Sequence, residues 1–315
     1  MNLIVEDLAE RMHNYRHELV ADESAAPLHA RGRAGRVVFL IGAGASNAAA
    51  GLPLGRELAA DLRHRMECST EPRRTQLEGW LDQMVRDLHF DRDDFKTILF
   101  SLNKIDSPSL VRLVQEALLH AVPVCPVYDR IARLFKARYA DGIVNFNFDE
   151  LMDAAIVRAF GGTSGYKHIY SEETVPAGWN DGFAHLPEDP GPVYVKPHGT
   201  ISRGETLRFA RKEFWRIQQA QANVMRSLFS GKNVTVVLVG FRLKFFELST
   251  LLPKWLDPTS EIVIIDRNED VLDDLVRPFY RGKFLRISEM MKLDTVLLRL
   301  SEAVAARTIP QLAVA

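Results

Sequence analysis

The stretch "VVFLIGAGASNAAAGLPLGRELAADLRHRM", residues 37–66, decides the fold. Val37–Ile41 is an unbroken apolar run, as expected of a parallel strand covered on both faces. Gly42 and Gly44 interrupt it, and a helical pattern resumes around Leu54. A buried strand, a glycine turn and then a helix is the opening of an α/β unit.

The same rhythm recurs further along the chain. A helix over about 127–138 leads to the strand "DGIVNFN", followed by a helix from Phe148 to about Phe160. Residues 161–192 are rich in Gly, Pro and polar residues and read as a loop excursion. The strand "VYVK" ends in Pro197-His198-Gly199. A helix near 211–229 precedes "VTVVLVG", a helix over about 245–256 precedes "EIVIID", and helices are expected from there onward. Strands alternating with helices predict a doubly wound parallel sheet of Rossmann-like type. Two further pieces flank this core. Leu3, Leu8, Met12, Tyr15 and Leu19 keep helical spacing, so residues 1–36 read as an N-terminal helix and linker ahead of a main domain at 37–315. Within that domain, 69–125 reads as a helical insertion, with helical segments broken near Asp91–Asp94 and at "DSPS".

Composition bounds the function classes. The chain has 315 residues, 47% hydrophobic and 26% charged, which is ordinary for a globular protein. No run approaches the roughly 18 apolar residues of a membrane span. The opening "MNLIVEDLAERMHNYRHELV" has acidic residues inside its apolar run and does not read as a signal peptide, so a cytoplasmic protein is expected. Forty basic residues against forty-one acidic ones give a net charge of −1, which provides no bulk attraction to nucleic acid. The two cysteines, Cys68 and Cys125, cannot form a four-thiolate zinc site and read as free buried thiols.

In a doubly wound sheet, ligands gather at the carboxyl ends of the strands. Here those ends are Gly42-Ala43-Gly44-Ala45-Ser46, Asn145-Phe146-Asn147-Phe148-Asp149, Lys196-Pro197-His198-Gly199, Gly240-Phe241-Arg242 and Ile265-Asp266. A glycine turn before a helix lets backbone amides approach a phosphate, although Asn47 stands where a dinucleotide fingerprint has its third glycine. A tight turn without ligand is the alternative. Asn145, Asn147 and Asp149 could hold sugar hydroxyls or a water, or Asp149 or Asn147 could cap the next helix. His198 follows an apolar strand directly, and its ordinary pKa range suits a general base.

Taken in order, these motifs resemble the sirtuin-like family, specifically its prokaryotic branch of NAD-consuming antiphage-defence proteins. "GAGAS…GLPLGRELA" looks like the family's glycine-rich NAD loop, "NFNFDEL" like its Thr-x-Asn-x-Asp strand end, and "YVKPHGT" like its Lys-x-His-Gly. "VVLVGFRL" and "EIVIID" look like the two later strands on the adenosine side. The resemblance spans about 37–270. This chain departs from the pattern at Asn145, which replaces a Thr. Leu54-Gly55-Arg56 stands where deacylases carry Asp-Phe-Arg, and Gly240–Phe245 stands where many defence relatives carry Gly-x-Ser-x-x-Asp. The zinc module of deacylases cannot form here, so deacylation is disfavoured.

The resemblance implies an NAD+ glycohydrolase acting in abortive infection, with NAD+ as substrate and no metal expected. Asn147 and His198 would be catalytic, with Asp149 bracing them. Gly42, Ala43, Gly44, Ser46, Pro53, Arg56, Asn145, Gly240, Arg242 and Asp266 would bind the nucleotide. It also implies a homo-oligomer gated by a partner in trans, a HerA-type DNA-translocating ATPase or an Argonaute-like sensor. The N-terminal helix and the insertion are candidate surfaces for such contacts. A non-catalytic NAD or ADP-ribose scaffold is the alternative, and ADP-ribosyl transfer a third possibility.

Overall fold

The computed structural model describes residues 2–21, 35–68, 71–88, 95–118, 124–176, 179, 191–208, 211–241, 252–266, 282–288 and 293–312. Its centre is a seven-stranded parallel sheet. The strands are β1 (Val37–Ile41), β2 (Gly142–Asn145), β3 (Lys167–Ile169), β4 (Val193–Val195), β5 (Thr235–Val239), β6 (Glu261–Asp266) and β7 (Lys283–Ser288). The spatial order is β3-β4-β2-β1-β5-β6-β7. From β1 the chain builds outward to one side, then returns to place β5 on the other side of β1. This reversal puts a topological switch point at the carboxyl ends of β1 and β5, where doubly wound folds take their ligands. The strand ends lie level there, because Ile41 pairs with both Asn145 and Val239.

The helices are α1 (Asn2–Ala21), α2 (Ala43–Ala50), α3 (Gly55–Glu67), α4 (Glu71–Leu88), α5 (Phe95–Leu118), α6 (Pro126–Lys136), α7 (Leu151–Phe160), α8 (Arg211–Phe229) and α9 (Leu293–Leu312). Alternation along β1 divides the core between the sheet's two faces. Val37, Phe39 and Ile41 join α1, α6, α7 and α9 on one face. Val38 and Leu40 join α8 on the other. Both faces are covered, which is why the strands read as continuous apolar runs rather than alternating ones. α6 is the clearest amphipathic element, with Val127, Tyr128, Ile131, Ala132, Leu134 and Phe135 all buried.

α1 is part of this core. Val5, Leu8, Ala9 and Met12 are buried in the cluster that holds Val296, Leu297, Leu300 and Val304 of α9. Of the residues that marked its apolar stripe, Leu8 and Met12 are thus spent within the chain, whereas Leu3 is exposed. α3, α4 and α5 form a third cluster that also takes in Phe148, Ile201 and Leu207 from the strand-end loops. The expected break at "DSPS" is a kink in α5 at Asp106, whose carboxylate caps the second half through Ser109 N (3.1 Å) and Ser109 Oγ (2.6 Å).

Four expectations need correction. The loop excursion contains β3, a three-residue edge strand too short to register as a pattern. The region expected to be only helical after "EIVIID" contains β7, whose backbone pairs with β6 and keeps it off the sheet edge. α7 starts at Leu151 rather than Phe148, because residues 148–150 turn to bring Asp149 under its first amide. Cys125 is buried, but Cys68 is exposed. Asp91, Asp93, Asp94 and most of the helix expected at 245–256 lie outside the described residues, although Leu252–Trp255 is helical.

Candidate functional site

Three glycines fix the meeting of the β1 and β5 ends. Gly44 N donates to Gly240 O (2.9 Å), and Gly42 N donates to Val239 O (3.1 Å). A Cβ on Gly42 or Gly44 would lie 2.7 or 2.8 Å from Gly240 O. Gly240 has φ +56°, and a Cβ there would lie 2.2 Å from Ala45 N. These contacts are closer than a side chain tolerates. The glycines of "GAGAS" are thus demanded first by the neighbouring loop. Two leading amides of α2 are already engaged, Gly44 N by Gly240 O and Ala45 N by Gly42 O (3.0 Å).

The ends of β2 and β4 carry the polar groups. Asn147 Nδ2 donates toward Gly42 O (3.1 Å), Ser46 Oγ (2.9 Å) and Tyr128 OH (3.3 Å). Only the nitrogen can face the Gly42 carbonyl, which settles the orientation of the amide. Its Oδ1 makes no such contact among the described residues. Ser46 Oγ donates to Asp149 Oδ2 (2.7 Å) and lies 2.7 Å from Tyr128 OH. Asp149 Oδ1 accepts from Leu151 N (3.1 Å), capping α7. Of the two sequence readings of Asp149, the cap is the one seen: one oxygen caps the helix and the other accepts from Ser46.

A second chain lies beneath the first. Asn145 has no exposed surface; its Nδ2 donates to Tyr194 OH (3.0 Å) and its Oδ1 accepts from Asn147 N (3.1 Å). Tyr194 OH donates to Asp153 Oδ2 (2.9 Å). Lys196, fully buried, donates to Asp153 Oδ2 (2.9 Å), Asp149 O (2.7 Å) and Thr200 Oγ1 (3.0 Å). One ammonium therefore fastens the Asn147 loop to the His198 loop with all three protons used. His198 Nδ1 lies 3.2 Å from Phe146 O. A carbonyl only accepts, so Nδ1 carries the proton and Nε2 carries the lone pair of the neutral ring. Phe146 meets the imidazole edge-on at 5.2 Å and Phe148 lies at 5.8 Å. Gly199, at φ +80°, turns the chain so closely that a Cβ would lie 2.1 Å from Thr206 O.

Burial and charge set the protonation states. Burial pushes the Asp149 carboxyl above its ordinary value, and the Lys196 ammonium and Ser46 hydroxyl pull it partly back. Asp153 is also raised by burial, but Lys196, His168 and their hydrogen bonds prevail and hold it at about 2. Burial, then the Asp149 charge, keeps the Tyr128 phenol well above its usual range, and Tyr194 is raised likewise by burial and Asp153.

Residues 141–284 match the family model of the SIR2-like domain. The match starts at Asp141, immediately before β2, so the SIR2-like stretch holds Asn145, Asn147, Asp149, Lys196 and His198 but not the Gly42–Ser46 turn. None of the curated proteins matches the chain. Among solved structures, one from work on the "Structural Basis for the Mechanism and Regulation of Sir2 Enzymes" overlays 96% of this chain and 98% of its own, at 15% identity and a TM-score of 0.44.

Of the residues singled out by sequence, the structure gathers Gly42, Gly44, Ser46, Asn145, Asn147, Asp149 and Gly240 into one bonded group. Ala43 begins α2 beside it. Ser46 and Asn145 face inward, as braces rather than as groups open to a ligand. Pro53 lies in the link to α3, Arg56 is exposed at the start of α3, and Asp266 ends β6, two strands from β1. Arg242 lies outside the described residues. Sequence reasoning missed Tyr128, Asp153 and Tyr194 and gave Lys196 no role. Tyr194, Lys196, His198 and Thr200 alternate along one strand and its extension, a signal that was legible. Tyr128 sits within the apolar pattern of α6, and nothing in the sequence marks it. Among the described residues, no three His, Cys, Asp or Glu side chains group as a metal site.

Proposed function

We propose that the chain cleaves the nicotinamide–ribose bond of NAD+, releasing nicotinamide and ADP-ribose. The observation that carries this reading is the paired orientation of Asn147 and His198. Each is pinned by a backbone carbonyl, Gly42 O and Phe146 O, which fixes the orientation of the amide and of the imidazole at neighbouring strand ends. The SIR2-like match over the same strand ends supports NAD+ as the substrate class.

The chemistry asks little of the protein. As the C1′–nitrogen bond breaks, its electron pair neutralises the departing pyridinium, so no strong acid is needed. Water supplies the new C1′–oxygen bond and loses a proton. Asn147 Oδ1 would accept a hydrogen bond from a ribose hydroxyl or from that water, and His198 Nε2 would take a proton from a ribose hydroxyl, whose oxygen in turn takes the proton that the water loses. Orientation and a water-poor site supply the rest. Unchecked turnover would deplete a cell of NAD+, so the activity suits a gated effector of antiphage defence, switched by a partner protein. The motif order 37–270 supports that narrower reading.

The test is NAD+ turnover by the full chain with products separated. We expect nicotinamide and ADP-ribose from the wild type and a fall of about 100-fold or more in Asn147→Ala and in His198→Ala, the scale of a lost catalytic group. A wild type that binds NAD+ yet releases no nicotinamide, alone or with candidate partners, overturns the hydrolase in favour of a nucleotide-binding scaffold. Label transferred to protein or nucleic acid would redirect it to ADP-ribosyl transfer.

A further inference from the structure

We propose that Tyr128 is a positioning residue that holds the side-chain amide of Asn147, through Ser46 and directly, in the orientation the reaction uses. The proposal rests on the functional reading above and adds to it a residue from outside the strand-end loops and outside the SIR2-like match.

The argument starts from what the hydroxyl is for. Tyr128 is wholly buried on the apolar face of α6, among Ile131, Ala132 and Phe135. A phenylalanine would fill that space with the same ring. Burying a phenol costs free energy unless its oxygen is bonded, so the hydroxyl needs a reason beyond packing. Its partners are Ser46 Oγ at 2.7 Å and Asn147 Nδ2 at 3.3 Å, both from the site.

Counting protons gives the direction of the chain. Ionised Asp149 only accepts, so Ser46 spends its one proton on Asp149 Oδ2. The Tyr128 proton must then go to Ser46 Oγ, and the phenol oxygen is left as an acceptor facing Asn147 Nδ2. Tyr128 thus closes a ring of bonds on the amide nitrogen, opposite the Gly42 carbonyl. If the amide turned over, Oδ1 would face Gly42 O and the phenol lone pairs, and the acceptor would be withdrawn from the ligand side. Such closed polar networks fix one geometry more firmly than single bonds do. The raised phenol pKa keeps the proton in place across the working pH range.

The experiment is Tyr128→Phe in the full chain, with three readings: kcat and KM for NAD+, the melting temperature, and the Asn147 side-chain amide resonances. Those resonances would be identified by their absence in Asn147→Ala. The expected result is a fall of about tenfold in kcat, the scale of one hydrogen bond. KM should stay within about twofold, and the Asn147 resonances should shift or broaden. Ser46→Ala and the double variant complete a cycle, and the two losses should not add, since both act on one amide. Unchanged kcat with unchanged Asn147 resonances overturns the proposal. So does a loss that adds fully to that of Ser46→Ala, which would mean an effect outside the shared network. If the wild type shows no turnover, alone or with candidate partners, the hydrolase reading falls by itself, and the Asn147 resonances still decide whether Tyr128 positions the amide.

Discussion

Asp153 shows how much one half-buried side chain can organise. It accepts from Lys196 and Tyr194, and His168 Nε2 lies 3.3 Å from its other oxygen. Its carboxyl titrates at about 2, below the ordinary 3.8. The folded state therefore binds this proton more weakly than the unfolded chain. The stabilisation is complete above about pH 4 and is lost as pH falls through 2. Asp149, with a raised value, acts in the opposite sense and favours the folded state on acidification. Asp153→Asn should flatten the acid limb of the stability curve between pH 4 and 2. At neutral pH it should cost about 3–5 kcal/mol, because Lys196 keeps its charge without a counter-ion. Urea unfolding at stepped pH measures both. An acid limb identical to that of the wild type would remove Asp153 from this role.

At the scale of elements, loops rather than strands set the geometry of the site. The β1 and β5 turns interlock through Gly42, Gly44 and Gly240, and the β2 and β4 turns are fastened by Lys196 and by Ile201 N donating to Phe148 O (3.0 Å). Two glycines of similar conformation separate the effects of backbone strain and close packing. Gly51 has φ +67° with open space where a Cβ would point, whereas Gly240 has φ +56° and a neighbour at 2.2 Å. Gly51→Ala should cost only the left-handed penalty of about 1–2 kcal/mol. Gly240→Ala should cost clearly more, since backbone must also move. Melting temperatures of the two variants decide it, and equal losses would mean that the turns do not interlock. The glycine motif then has two duties, and its sequence alone reports only one of them.

Across the whole molecule, the three hydrophobic clusters join pieces that sequence separates. α1 and α9 come from opposite ends of the chain and share one core. An exposed ion pair between Glu6 and Arg307 (2.7 Å) adds little to it. Leu8 is wholly buried there, so Leu8→Ala should cost about 2–5 kcal/mol. Calorimetry that showed a loss under about 0.5 kcal/mol would make α1 a peripheral attachment instead. The α3–α5 cluster reaches the site through Phe148, which lies between Asn147 and Asp149 in sequence and beside His198 in space. Packing in those helices is thus continuous with the candidate catalytic residues.

The sequence by itself determined the parallel sheet and the strand ends at which its polar residues gather. Continuous apolar strands can only be covered on both faces, and the polar residues at their ends break that apolar pattern. Asn147, Asp149 and His198 stood out as candidates for that reason. β3 and β7 were not, because short strands take their identity from the strand they pair with. Only the tertiary structure decided what each polar group does. It turned Ser46 and Asn145 inward as braces, gave the glycines a neighbour to accommodate, and brought Tyr128 from an apolar helix face to Asn147. A hydrogen bond depends on where two distant segments meet, and local pattern carries no record of that meeting.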